Sequence, residues 1–133
     1  MIKSIILLFF CLLLTSCDPI RNLNFINKTD SDVKIKINLN PEAKSYTSSV
    51  IKDKSNGDSI VFNLKQNNTI GIFFGVGVWS DPVIEEFANS VYNIEFDTKD
   101  VKTIYKTPES VKKLLKDNKH GFLHKHRVDI DIN

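Results

Sequence analysis

Residues 33–39 read VKIKINL, with an apolar side chain at every second position and lysine or asparagine between them. A period of two is that of a β-strand, because successive side chains of a strand point to opposite faces of the sheet. This strand is therefore predicted to bury one face and to leave the other in water. The same alternation recurs in SIVFNLK at residues 59–65.

Outward from these two strands, the chain continues as a mostly β domain. Strands are predicted at 23–27, 32–39, 59–65, 69–79, 91–97, 101–106 and 122–132, with a weaker one at 44–51. Turn signals such as Asn56-Gly57 separate them. Short strands between turns favour an antiparallel sheet or a β-sandwich-like domain over alternating βαβ units.

Two short helices are predicted in the C-terminal half. The first reads SDPVIEEFANS, with Ser80 or Asp81 as its cap and Pro82 at its first position. The second reads TPESVKKLLKDN, with Thr107 as its cap and lysines toward its C-terminal end. The predicted fold class is therefore α+β, mostly β.

Length and charge limit the class of protein. The 133 residues suit one domain, and an apolar fraction of 41% suffices for a packed core. The 18 basic and 16 acidic side chains nearly balance. A nucleic-acid binder usually carries a strong basic excess, so no nucleic-acid partner is expected.

The N-terminus has the pattern of an export signal. Lys3 precedes an apolar run from Ile5 to Leu14, which suits a signal peptide and falls short of the ~20 residues that span a bilayer. The run ends in LTSC at 14–17, which resembles the bacterial lipobox. In lipoproteins with this signature the Cys thiol receives a diacylglycerol, the signal is cut before the Cys, and the new N-terminus is commonly acylated too.

The lipobox places lipid attachment at Cys17. Thr15 and Ser16 are small enough to give a peptidase access to the bond, whereas Cys11 follows two bulky phenylalanines. The alternative is an ordinary secretory signal with a cysteine near its end. The predicted organisation is a lipoprotein signal peptide at 1–16, a lipidated tether at 17–22 and a single β-rich domain at 23–133.

Acylation would make the bilayer the first partner of the chain. Stable anchoring needs more than one acyl chain, at about 0.8 kcal/mol for each buried methylene, and a diacylated or triacylated Cys17 meets that need. A chain cut there keeps no other cysteine and has no intramolecular disulfide. The expected location is the cell membrane, exported, lipid-anchored and facing the periplasm. Asp18 resembles an inner-membrane retention signal of some proteobacteria, and the choice between inner and outer membrane stays open.

A wider resemblance covers most of the mature chain. After the lipobox come NFINKTDSDVKIKI at 24–37, a late strand IEFDT at 94–98, a lysine-rich helix containing KLL at 113–115 and a closing strand. In this the chain is similar to small Bacteroidota lipoproteins of unassigned function. The resemblance implies an anchored, mostly β domain in the cell envelope and transfers no catalytic residue.

Residues 75–82, GVGVWSDP, resemble the start of a dinucleotide-binding loop. Asp97 lies where an acidic ribose ligand would be expected. Ser80 stands at the third glycine position, however, Trp79 would crowd the helix, and an exported lipoprotein meets little NAD. No cofactor is therefore expected.

The structural interpretation of the same stretch is one long buried strand. Gly71, Gly75 and Gly77 would share one face and permit a bend or a close approach, with Phe73 and Trp79 on that face. The opposite face would supply the core with Ile70, Ile72, Phe74, Val76 and Val78.

The three histidines, His120, His124 and His126, fall in one short segment. His124 and His126 would project from the same side of a strand, as in a metal-binding pair that His120 could complete. The neighbouring lysines and Arg127 oppose a dication. A solvated edge strand is expected, and a metal-binding envelope protein using the His124/His126 pair is the alternative.

No nucleophile stands out beside a base, so no catalytic residue is assigned and the protein is not expected to be an enzyme. Ser59, within Asp58-Ser59-Ile60, resembles a short O-glycosylation motif of Bacteroidota.

From Lys106 to Arg127 the chain carries seven basic and two acidic residues. This segment is either a solvated face or one that lies against anionic lipid.

The predicted function is a membrane-anchored envelope lipoprotein that acts as a non-enzymatic binding or structural module. Besides metal binding, the alternative is an accessory or immunity-type subunit of an envelope complex.

Overall fold

The computed structural model describes residues 19–43, 55, 57–121 and 125–133. In chain order the elements are β1 (Ile20–Asn27), β2 (Val33–Leu39), β3 (Ser59–Leu64), β4 (Thr69–Val76), α1 (Asp81–Ser90), β5 (Val91–Asp97), β6 (Lys102–Tyr105), α2 (Pro108–Asp117), β7 (Lys119–His120) and β8 (Arg127–Ile132). The predicted mostly β class with two short helices is confirmed. The signal peptide, Cys17 and the weak strand at 44–51 lie outside the described residues.

The strands form two four-stranded sheets. The first sheet has the order β4-β1-β8-β7, and the second has the order β3-β2-β5-β6. All neighbouring strands run antiparallel except β1 and β8, which are parallel. The parallel pair is a difference from a wholly antiparallel arrangement. β8 runs antiparallel to β7 on one side and parallel to β1 on the other.

One hydrophobic core lies between the two sheets. Phe25 of β1 and Phe96 of β5 meet edge to face, with ring centroids 5.8 Å apart. The alternation in residues 33–39 predicts that Val33, Ile35, Ile37 and Leu39 enter this core, and other strands contribute in the same way. Leu23, Val33, Ile35, Ile37, Leu39, Ile94, Val128, Ile130 and Ile132 are all buried. Each fully buried side chain of this kind contributes about 1.5–3 kcal/mol.

The helices carry the chain between the sheets and pack against each other. α1 connects β4 to β5, and α2 connects β6 to β7. Thr107 caps α2 as predicted, since its hydroxyl accepts a hydrogen bond from the Ser110 amide at 3.1 Å and the Ser110 hydroxyl accepts one from the Thr107 amide. Ser80 occupies the N-cap position of α1, although its hydroxyl makes no capping hydrogen bond.

The prediction of one long strand through GVGVW is wrong. β4 ends at Val76, because Gly75 and Gly77 have φ angles of +84° and +112° and turn the chain. Residues beyond that turn no longer follow the alternation. Val76 is therefore 59% exposed, whereas Trp79 is 1% exposed and belongs to the core.

The predicted boundary of the tether also moves. β1 begins at Ile20 rather than residue 23, and Ile20 pairs with Val76 of β4. Residues 20–22, predicted as tether, therefore belong to the first sheet. The strand can start this early because Asn22 also lies beside β8, opposite Arg127, which gives its backbone a partner on each side.

Candidate functional site

One end of the first sheet brings together the start of β1, the end of β4 and the start of β8. The Pro19 carbonyl accepts a hydrogen bond from the Gly77 amide at 2.7 Å, and the His126 carbonyl accepts one from Asn22 at 3.2 Å. The Lys125 carbonyl accepts one from the Trp79 amide at 2.8 Å. We call this region, residues 19–22, 73–79 and 125–127, the tether end, because the predicted lipid site, Cys17, precedes it in the chain.

The half-buried side chain of Arg21 connects β1 to the end of β4 and to the segment that follows it. Its guanidinium donates to the Phe74 carbonyl at 2.9 and 3.1 Å and to the Val78 carbonyl at 3.4 Å, and lies 5.9 Å from the centroid of the Trp79 ring. The Trp79 indole N–H donates to the Asn22 carbonyl at 2.9 Å. These contacts attach the β4–α1 connection to β1 by polar groups that the sequence pattern did not single out.

Two of the three predicted histidines lie near this end. His120 is opposite Arg127 in the β7–β8 pair, and His126 directly precedes β8. His124 lies outside the described residues, so the His124/His126 hypothesis stays a prediction. In the part of the chain that the structure describes, no three His, Cys, Asp or Glu side chains are grouped to hold a metal ion.

The predicted glycan site, Ser59, is the first residue of β3 and is half-buried. It lies opposite Asn38 of β2. Glycosylation there stays a prediction.

Acids of α1 and β8 offset part of the charge of the basic segment from Lys106 to Arg127. Ion pairs join Lys112 to Glu85 at 3.0 Å, Lys116 and Lys119 to Asp81 at 3.3 and 3.8 Å, and Arg127 to Asp129 at 2.6 Å. Within α2, Lys113 also meets Asp117. The charge count along the sequence missed Asp81 and Glu85, which α1 brings to α2. The helical face is therefore an ion-paired surface and not a uniformly basic one.

A groove of about 360 Å³ runs along the open side of the molecule, between β6 and β8. We call it the edge groove. Phe96, Leu114, Ile130 and Ile132 form its apolar floor, and polar side chains such as Thr103 and Asn118 line its rim. The groove is open because β7 has two residues and β6 has four. These short strands leave part of β8 and the outer side of β6 without a neighbouring strand among the described residues.

The outer side of β6, next to this groove, has backbone groups with no partner among the described residues. The Thr98 amide donates to the Val101 carbonyl at 3.0 Å, which sets the alternation of hydrogen bonds along the β5–β6 pair. By that alternation, the backbone groups of Thr103 and Tyr105 bond to β5, while those of Lys102 and Ile104 point outward. No feature of the sequence beyond the shortness of this strand indicated such an edge.

A second depression, of about 160 Å³, lies on the outer face of the second sheet among Lys34, Lys36, Glu95, Asp97 and Lys102. The Lys102 ammonium hydrogen-bonds to the Glu95 carboxylate at 2.8 Å. That bond lowers the pKa of Glu95 against the opposing effect of burial, and it raises the pKa of Lys102. Opposite charges lie across neighbouring strands in this depression and one ion pair joins them, which is typical of cross-strand stabilisation rather than of a ligand site.

No helix in the described ranges is long and apolar enough to cross a bilayer. Comparison with protein-family models, with curated proteins and with solved structures found no match for this chain.

Proposed function

We propose that this chain is an exported lipoprotein, anchored through acylated Cys17, whose β-rich domain binds another protein at the cell envelope and catalyses no reaction. The observation that carries the proposal is the lipobox LTSC at 14–17, which ends three residues before the first strand.

The start of β1 supports this arrangement. Because Ile20 already belongs to the first sheet, two residues separate the domain from the acylated cysteine, and the three Cα–Cα steps from Cys17 to Ile20 span about 11 Å at most. Two or three acyl chains are enough for stable attachment. The domain is then held directly against the membrane surface rather than on a long flexible arm.

Replacing Cys17 with alanine is expected to abolish lipidation and membrane retention. Cells expressing the full chain are labelled with radioactive palmitate and fractionated. We expect label and membrane association in the unchanged protein and in Cys11→Ala, and neither in Cys17→Ala, because the thiol at 17 is the acceptor. Label retained in Cys17→Ala would refute Cys17 as the site of acylation. If the protein without substitutions is secreted and carries no label, the signal is an ordinary secretory one.

For the binding role, the edge groove is the surface that the geometry favours. The outward backbone groups of Lys102 and Ile104 complement a strand, since an extended peptide that joins a sheet edge gains main-chain hydrogen bonds. Alternate side chains of such a peptide would enter the groove above Phe96 and Leu114. The occupant is therefore proposed to be an extended segment of a partner protein, with apolar residues at every second position.

Ile104→Pro is expected to abolish peptide binding without unfolding the domain. Proline removes the outward amide and is tolerated at an edge strand, because no β5–β6 hydrogen bond uses that amide. Binders selected from a displayed library of random peptides are expected to lose at least tenfold in affinity for this variant, about 1.4 kcal/mol. In the unchanged protein they should shift the amide resonances of residues 102–105.

The matched control is Val61→Pro, on the outer edge of β3. The Leu39 amide donates to the Asp58 carbonyl at 2.8 Å, so the alternation along the β2–β3 pair turns the Val61 amide outward as well. Selected peptides should bind Val61→Pro as they bind the unchanged protein. Peptides that bind Ile104→Pro as tightly as the unchanged protein, or a library that yields no binder, would count against the edge groove as a peptide-binding site.

A further inference from the structure

We propose that the tether end is itself a membrane-binding surface: Ile20, Phe73 and Val76 enter the bilayer interface, with Lys125 and Arg127 at the level of anionic headgroups. The proposal deepens the proposed function and rests on lipid attachment at Cys17. It adds a second contact with lipid, made by the folded domain, which would orient the domain on the membrane.

Three large apolar side chains are exposed together at this end. Ile20 is 56% exposed and pairs with Val76, which is 59% exposed, and Phe73 is 50% exposed opposite Asn22. Phe73 points away from the core because its two neighbours, Ile72 and Phe74, are buried. Adjacent exposed apolar side chains of this kind are typical of interaction sites, whereas single ones need no explanation.

The backbone makes this exposure specific. Strand alternation would turn Val76 toward the core, as Ile72 and Phe74 are turned. The positive φ of Gly75 and an irregularity in the β1–β4 register between Ile20 and Asn22 bring Val76 to the surface beside Ile20 instead. The backbone of the fold therefore places the side chains of Ile20 and Val76 at the surface.

The position of the anchor decides what covers this patch. Ile20 lies three residues after Cys17, so its backbone is within about 11 Å of the acylated residue whatever path the connection takes. Surface-bound apolar faces enter the boundary between headgroups and acyl chains by about 5–10 Å. A patch that close to an anchored residue faces the bilayer, which makes lipid the expected occupant rather than a protein.

Charge at the same end fits an anionic surface. Lys125 and Arg127 are exposed and lie level with the start of β1, because β8 runs parallel to β1 with Arg127 opposite Asn22. Arg127 is paired with Asp129, whereas Lys125 carries its charge at the very end of the sheet. A basic residue near an anionic membrane surface favours binding. Lys125 and Arg127 belong to the basic segment for which contact with anionic lipid is the alternative to a solvated face, and both lie at the tether end.

A unique thiol reporter tests the orientation. Acylated Cys17 would be the mature chain's one other cysteine, so Val76→Cys can be labelled with an environment-sensitive fluorophore in the purified, acylated protein. Val101→Cys is the matched control, because Val101 is 60% exposed but lies beside Thr29, Asp30 and Asn133, at the opposite end of the first sheet. Both proteins are reconstituted on vesicles of phosphatidylcholine with phosphatidylglycerol, and circular dichroism verifies their folding.

At position 76 we expect a blue-shifted emission, quenching by brominated lipid and a several-fold fall in quenching by aqueous iodide. At position 101 none of these is expected. The blue shift should be smaller on pure phosphatidylcholine, since the basic side chains then lose their partners. Vesicle-bound protein whose label at 76 behaves like that at 101 would overturn the orientation and leave the anchor intact. Protein that does not float with vesicles would overturn the anchor, and the orientation with it.

Discussion

Replacing Trp79 with alanine is expected to destabilise the folded domain by about 3–5 kcal/mol, the usual cost of removing a large buried aromatic side chain. Trp79 is 1% exposed. Its ring meets those of Phe74 and Phe87 edge to face, at centroid distances of 5.5 and 6.1 Å. Alanine would leave a cavity where β4, α1 and the start of β1 meet, and would also remove the hydrogen bond to the Asn22 carbonyl.

The measurement is urea unfolding of the domain without its signal peptide, followed by circular dichroism. Trp79→Phe separates the cavity from the lost hydrogen bond, because it keeps an aromatic ring and removes the indole N–H. Its loss of stability should lie between zero and that of Trp79→Ala. Phe73→Ala is the surface control, since Phe73 is 50% exposed and should cost under about 1 kcal/mol. Equal losses for Trp79→Ala and Phe73→Ala would show that Trp79 is not part of the core.

Asn27→Ala is expected to cost about 2–4 kcal/mol, because each buried polar group left without a partner costs about 1–3 kcal/mol. Asn27 is fully buried. Its amide nitrogen donates to the Ser31 and Leu64 carbonyls at 2.8 and 3.0 Å, and its amide oxygen accepts from the backbone and hydroxyl of Thr29 at 2.9 and 2.7 Å. One side chain thus closes the β1–β2 turn and attaches it to β3 in the other sheet.

Asn63→Ala is the control for Asn27→Ala. Asn63 is exposed on β3, and its replacement should change the free energy of unfolding by less than about 0.5 kcal/mol. Asn27→Asp keeps the shape and the acceptor but loses the two donated hydrogen bonds, and should be at least as damaging as alanine near neutral pH. An Asn27→Ala domain as stable as Asn63→Ala would contradict this role.

If Asn27 and Trp79 act as described, their loss should leave lipidation untouched. In the proposed function, acylation at Cys17 depends on the signal segment at 1–16 and not on the folded domain. A destabilised variant that still incorporates palmitate would therefore separate the anchor from the fold. The same logic makes Cys17→Ala a clean test, because that substitution lies outside the described domain and should not alter its stability.

Much of the fold could be predicted because its signals are local. The alternation in residues 33–39 depends on strand geometry alone, and Ile35 and Ile37 are buried as it requires. The capping box of α2 is likewise encoded by neighbours, with Thr107 and Ser110 three positions apart. Such features need no knowledge of which strand lies next to which.

The features of the two candidate surfaces depend on distant parts of the chain. Val76 lies at the surface and not in the core as predicted, because Gly75 and Gly77 have positive φ and end β4. The sequence of a strand does not reveal the φ angle of its glycines. Part of the excess charge of the basic segment is offset by Asp81 and Glu85, which are far from it in sequence. The edge groove exists because β6 and β7 are short, so that two sheet edges face each other unfilled.

The sequence by itself determined the mostly β class and most of the core, and it carries the proposal of an export signal with an acyl-acceptor cysteine, since each depends on residues close together in the chain. Tertiary structure alone decided which strands are edges, which charges are matched, and that Ile20, Phe73 and Val76 meet on the surface beside the tether. The physical reason is that pairing between β1, β4 and β8 joins segments that are as much as 105 residues apart, and no local pattern specifies such partners.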